Sequence, residues 1–353
     1  MKVKLLSRLV LVVLLIGTLV MGAGCAQSSK TESKEGVPQS PKTESKEVVL
    51  KLGHVTQANH PYHLASEKFA KLLSDKTGGR IKVTIFPARQ LGGDREMFEM
   101  VQNGSLDMNL MPVATLGGFT PVMMGLQLPW LIDDYEIMEK AYTGDAAKKM
   151  YEALEKEVPS IKAFALYEAG LRDFVNNKRP INSMADLKGL KFRSVQSPIT
   201  LDTQQMLGLN PVPMAYGEQY SAMQTGVIDG SDLEPASIWS EKFYEVAKYI
   251  SMSNHIPFPA VLVMNTDKFK SLSVEDQKAI MEAAQEAIAD NIKVVKASNE
   301  EALAKMKEKG VNINQITDVT PFKDATKGLY DKYTASHPAV KQFVDDVNKL
   351  KGK

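Results

Sequence analysis

VVLKLGHV (48–55), RIKVTIFP (80–87) and SLDMNLM (105–111) are short β-rich runs, separated by helical stretches from about His60 to Lys76 and from Asp94 to Gln102. In the first helical stretch Leu64, Phe69, Leu72 and Leu73 fall on one face, and Gly78-Gly79 ends it. In the second, Met97, Met100 and Val101 turn inward. Strand and helix therefore alternate with short connections. That order predicts an α/β fold, a mainly parallel sheet covered by helices.

Downstream the alternation resumes. A long helix is predicted over Tyr135–Glu157, then strands at IKAFALY (161–167), RDFVNN (172–177) and LKFRSV (190–195). SPITLDTQQMLG (197–208) and YGEQYSAMQTG (216–226) read as helices around the short strand NPVPM, and AKYISMS (247–253) and PAVLVMNT (259–266) as strands. A second group with its own alternation implies a second α/β lobe, as the chain length also suggests. Residues 274–309 form the longest periodic stretch, with Met281, Ala284, Ile288, Ile292, Val295, Ala302 and Met306 on one face. This reads as a helix packed along the body. Helical segments from Thr320 and Pro338 close the chain.

Upstream, Lys2, Lys4 and Arg8 precede an apolar run from Leu9 to Met21, then Gly22, Ala23 and Gly24 lead to Cys25. Residues 1–24 have the order of a secretory signal, with an apolar run too short to span a bilayer comfortably. The lone cysteine stands at the small-residue boundary, as in a lipobox, so Cys25 is expected to be acylated and to anchor the chain outside the cytoplasmic membrane. Residues 25–47 are polar, with KTESKE at 30–35 repeated at 42–47, a composition suited to a solvated tether. Loss of residues 1–24 moves the formal net charge from +1 to −2. Neither value suggests a nucleic-acid partner.

Catalytic patterns are absent from the sequence. His54, His60 and His63 lie close together, but no Cys, Asp or Glu at ligand spacing accompanies them, so neither a metal site nor a cofactor is expected. LGGDRE (91–96) suits a turn and helix cap rather than a phosphate loop. The informative residues are Arg172 in GLRDF and Arg193 in GLKFRSV, each inside a strand of mixed apolar character. A guanidinium there either pairs with a protein carboxylate or faces a cleft, where two of them would offer a fork to a ligand carboxylate.

KFAKLLSDKTGGRIKVTIFPARQLGGDREMFEMVQNGSLDM (68–108), GLR (170–172), RPINSMADLKGLKFRSV (179–195), PVPMAYGEQYSAMQTGVIDG (211–230) and FYEVAKYISMSNH (243–255) occur in this order. Together they resemble the solute-binding proteins of tripartite ATP-independent periplasmic (TRAP) transporters, the DctP-like group, over essentially all of 48–353. The resemblance implies a periplasmic-binding-protein-like fold of two lobes around a ligand cleft, with a long helix spanning both. Lobe I would comprise 48–169 and 259–298, and lobe II 170–258 and 299–353. The arginine of the family's GLKxR motif, which clamps the ligand carboxylate, falls on Arg193. That of GxR falls on Arg172, and the aromatic of PMAxxE on Tyr216. The implied partners are a small organic acid and the small and large membrane subunits of a permease, with no ATP site in this chain.

After VIDG, where relatives often carry Glu-Asn, this chain reads Ser231, Asp232, Leu233, Glu234. Leu233 in place of the amide weakens transfer of sialic acid or ordinary uronate specificity, so contacts to ligand hydroxyls are expected from Asp232, Glu234, Asn59 or Tyr62. Sugar acids lead the expected ligands by the family's habits, ahead of C4 dicarboxylates and 2-oxo acids. The competing readings are a secreted enzyme acting on a small organic acid and a sensor component of the same fold.

Overall fold

The computed structural model describes residues 47–352. The anticipated signal segment, Cys25 and most of the tether lie outside them. Among the described residues nine strands make one sheet: β1 (Val48–Gly53), β2 (Ile81–Phe86), β3 (Met108–Pro112), β4 (Ile161–Asn176), β5 (Lys191–Ser194), β6 (Asn210–Pro213), β7 (Gly230–Leu233), β8 (Tyr249–Asn265) and β9 (Asn312–Gln315). Their order is β2-β1-β3-β8-β4-β7-β5-β6, with β9 on β8. β1 runs parallel to β2 and β3, and β5 parallel to β6 and β7, so each end of the sheet is a parallel unit of the kind the alternation predicted.

The ends are joined by β4 and β8, an antiparallel pair of 16 and 17 residues. The sequence reading divided each of these into two strands. Pairing in fact continues through Gly170, at φ +138°, and Asn254, at φ +48°, by means of register shifts between Glu168 and Leu171 and between Arg172 and Phe174. Local periodicity breaks at such positions although the long-range ladder does not.

The predicted helix over Tyr135–Glu157 is two helices, Tyr135–Thr143 and Asp145–Glu157. Gly144 divides them, and a Cβ there would meet the Lys140 carbonyl oxygen at 2.6 Å. YGEQYSAMQTG forms a 3₁₀ turn, Tyr216–Glu218, and then the helix Gln219–Gln224.

The helix Val274–Glu308 has 35 residues, which at the α-helical rise is about 52 Å. It packs against the helix Pro61–Lys76, β4 and the helix Pro235–Ser240, and so touches elements from both ends of the sheet. Ile280, Ala283, Ala284, Ala287 and Ile288 form its inner stripe. Met281, expected on that stripe, lies one residue past its edge and is exposed. In Pro61–Lys76 the inner face is Tyr62, Ala65, Phe69 and Leu73, at helical spacing. Leu64 and Leu72 flank it, half-buried.

Candidate ligand cleft

Arg193 sits in β5, where its backbone is paired to Ser231 of β7 and Val212 of β6. Gln204 fixes the neighbourhood: its Nε2 donates to the Arg193 carbonyl oxygen at 2.9 Å and to Asp232 Oδ2 at 2.7 Å. Arg193 Nε donates to the Met214 carbonyl oxygen at 3.2 Å, and the guanidinium lines a cavity of about 460 Å³. Burial, and then the charge of Arg172, lowers Arg193 to about 10. It is still a cation at neutral pH.

The cavity is walled by Arg193, Val195 and Tyr216 with Asp94, Thr115 and Gln196, and Arg89, Glu96 and Glu218 also line it. Inward it continues as a narrow recess against Tyr62 and Phe258. Tyr216 is fixed by its hydroxyl, 3.2 Å from Ser237 Oγ, and by an edge contact with Phe243. Tyr62 donates its hydroxyl to the Phe258 carbonyl oxygen. Burial raises the phenols of both tyrosines, which therefore stay neutral.

Arg172 is buried beside the recess on β4. Its guanidinium carbon lies 3.6 Å from the centre of the Phe258 ring, and its Nε is 3.9 Å from Glu234 Oε2. Nε and Nη2 have no hydrogen-bond partner, and neither has Glu234 Oε2. Glu234 Oε1 lies 3.3 Å from His60 Nε2 and also accepts from Ser237 Oγ. Burial would raise the Glu234 carboxyl, but the His60 hydrogen bond and the Arg172 charge overcome it and hold the group below its ordinary value. Two guanidinium groups close enough to repel, with N–H donors to spare, favour an anion between them.

Of the residues expected from sequence, Arg193, Tyr216 and Tyr62 line the cavity or its recess. Arg172 and Glu234 are buried alongside it, and Asp232 is buried behind Arg193, with Oδ1 3.7 Å from His255 Nε2. Leu233 is wholly buried in β7. Asn59 is exposed and does not join the group.

Arg89, Asp94 and Thr115 were not anticipated. Asp94 opens the helix Asp94–Gln102 after the N-cap Gly93, so the turn-and-cap reading of LGGDRE located the bend without its use as cavity wall. Asp94 Oδ1 has no partner, and burial raises its carboxyl to about 7 against the pull of Arg193 and Arg89. Two of the three histidines meet and the third turns away. His54 Nε2 lies 3.0 Å from His63 Nδ1, while His60 turns to Glu234 and Ser237. Burial first, then His63 and His60, lowers His54 to about 3, which leaves it neutral. Among the described residues no group of three or more His, Cys, Asp or Glu is arranged to hold a metal ion.

Residues 52–337 match the family described as bacterial extracellular solute-binding protein, family 7. The 2,3-diketo-L-gulonate-binding periplasmic protein of Escherichia coli is 34% identical over 276 residues, 78% of this chain and 84% of that one. The C4-dicarboxylate-binding protein DctB of Bacillus subtilis is 30% identical over 273 residues, 77% of each chain. A TRAP periplasmic solute-binding protein from Roseobacter denitrificans, solved with β-D-glucuronate, superimposes with a TM-score of 0.80 at 30% identity, covering 85% of this chain and 98% of its own. The sugar acid binding protein of Advenella mimigardefordensis, in complex with galactonate, gives 0.82 at 25% identity, over 87% and 99%. The chain thus has the two-lobed α/β fold of these proteins and belongs to the DctP-type solute-binding proteins of TRAP transporters.

Proposed function

We propose that this chain captures a sugar acid outside the cytoplasmic membrane and hands it, without chemical change, to the small and large membrane subunits of a TRAP permease. The observation that carries the reading is the pair of buried arginines: Arg193 lines the cavity, and Arg172 keeps two guanidinium nitrogens without a partner. The ligand carboxylate bridges them, and closure of the lobes excludes water and strengthens the charge-assisted bonds. Tyr216 packs against the carbon skeleton. Asp94, Thr115 and Gln196, facing the same space, accept from or donate to its hydroxyls. Asp232 and Glu234 support the clamp from behind. Binding of glucuronate and galactonate by proteins of the same fold supports a hydroxylated acid as the ligand class.

Lobe I comprises 48–169 with 259–298, lobe II 170–258 with 299–353, and β4 and β8 carry the hinge. Acylation of Cys25 holds the assembly to the membrane by a polar tether. Among the described residues no helix is long and apolar enough to cross a bilayer.

A thermal-shift screen of uronates, aldonates, C4 dicarboxylates and 2-oxo acids, followed by calorimetry, tests the reading. A 1:1 complex with a hydroxylated acid recovered intact is expected; turnover of the acid, or no response to any of these classes, would sink it. For the anchor, Cys25→Ser is expected to move the protein from the detergent phase to the aqueous phase on phase separation.

A further inference from the structure

A second cavity, of about 380 Å³, opens between the helix Val274–Glu308 and the irregular middle of β4 and β8. It shares no residue with the cleft that holds Arg193, although Asp173, in its wall, directly follows Arg172. Asp173 is fully buried. Where β8 leaves register with β4, Asp173 Oδ1 accepts the amides of Ser253 at 2.7 Å and Asn254 at 2.9 Å. Oδ2 has no partner at all.

A buried carboxylate oxygen without a donor is costly unless something supplies one. Burial holds the Asp173 carboxyl up at about 7, against two amides that favour its charged form. The cation of the cavity wall, Lys296, does not bond to it, and its ammonium lies 5.2 Å from the centre of the Tyr135 ring. The surrounding backbone is strained at Asn254, at φ +48°, as is common where a site is built.

The rest of the wall indicates the chemistry. Asp173, whose charge an ammonium at Oδ2 would stabilise, and Glu300 stand against the single cation Lys296, and Leu171, Met252 and Leu303 supply apolar surface. A bare metal ion would need several oxygens and no hydrocarbon walls, whereas an organic cation uses both features.

We propose that this cavity binds a small organic primary ammonium, whose N–H groups donate to Asp173 Oδ2 while its carbon chain lies against Leu171, Met252 and Leu303. The test is thermal melting of the purified protein, free of organic acid, in ethylammonium, tetramethylammonium and potassium chlorides at equal ionic strength. A saturable stabilisation by ethylammonium alone is expected. It should survive in Arg193→Ala, which separates this site from the cleft, and weaken at least tenfold in Asp173→Asn, which retains Oδ1 for the two amides. Leu303→Trp fills the cavity from its rim without touching those bonds and should also abolish the response, so the test holds if the first variant fails to fold. Equal shifts in the three salts, or an ethylammonium response that persists in the variants of the second cavity, would overturn the proposal.

Discussion

The region around Arg193 and the region around Arg172 each bury a guanidinium close enough to feel the other's charge, yet the protein holds the two differently. Arg193 stands on a four-residue strand, tied by Met214 and by Gln204 through its own carbonyl, with its free edge on an open cavity. Arg172 stands on the long strand β4 beside a register shift, held by its face on the Phe258 ring and by a long contact to Glu234. In the proposed clamp one side would be fixed before a ligand arrives. The other is steadied by stacking, with Nε and Nη2 uncommitted. On that reading, pre-ordering of the first lowers the entropic cost of binding, and the second gains most from an anion.

That contrast breaks most directly at Arg193. Arg193→Ala leaves an anion in the cavity without its main partner, at about 2 to 5 kcal/mol, or roughly 30-fold to several thousand-fold in Kd. Its melting temperature should change little, since few protein contacts are lost. Arg172→Ala should weaken binding less, by about 1.5–3 kcal/mol or roughly tenfold to a hundredfold, but lower the melting temperature more. It removes the cover of Phe258 and leaves Glu234, wholly buried, without its cation. Calorimetry and melting curves on the two variants decide the matter. Equal losses of both kinds would erase the distinction.

The two arginines were legible in the sequence because a charge inside an apolar strand stands out against its neighbours, whereas Tyr216 came only through the PMAxxE motif of the family resemblance. The cavity wall opposite them was not. Arg89 lies in a turn at φ +64°, next to Ala88 at φ +52°, and nothing in PARQLGG marks a left-handed arginine. Asn59 and Tyr62 were both expected to meet ligand hydroxyls, but Tyr62 is an inward residue of a helix whereas Asn59 belongs to the exposed turn before it. Most of the α/β alternation was readable, since periodicity is local, although the four-residue strand β9 was not anticipated. The continuity of β4 and β8 was not, because it depends on pairing between residues about 90 apart, such as Glu168 with Pro259.

A smaller effect separates the arginine from its neighbour on the same strand. Asp173 has a folded value of about 7, raised from 3.8 chiefly by burial. Below the unfolded value both states hold the proton, and stability from this group is intact. As pH rises toward 7 the unfolded chain releases the proton first, so that contribution is lost. Asp173→Asn carries no such penalty. Its melting temperature relative to the parent protein should therefore rise by a few degrees between pH 5 and pH 8. A gap that is constant across that range would mean that Asp173 is ionised throughout.

The least of the expected effects concerns Arg89, a residue of the cavity wall that bonds across to Glu241. Its Nη1 and Nη2 donate to Glu241 Oε1 and Oε2 at 3.1 and 3.0 Å, and Gln57 Nε2 adds a bond to Glu241 at 3.3 Å. The fork geometry is favourable, but the arginine is about a quarter exposed, at 27%, so water and salt reduce its worth to about 0.2–1 kcal/mol. Glu241→Gln keeps the shape and one acceptor while removing the charge. If this pair latches the cleft shut, ligand release should quicken by roughly twofold to fivefold with little change in association, since a latch acts after the ligand has entered. Trp239, one turn or less from Glu241 in the adjoining helix, supplies the stopped-flow signal. An unchanged release rate would make Arg89 a wall of the cavity only, and would leave closure to the ligand's own bridge between Arg193 and Arg172.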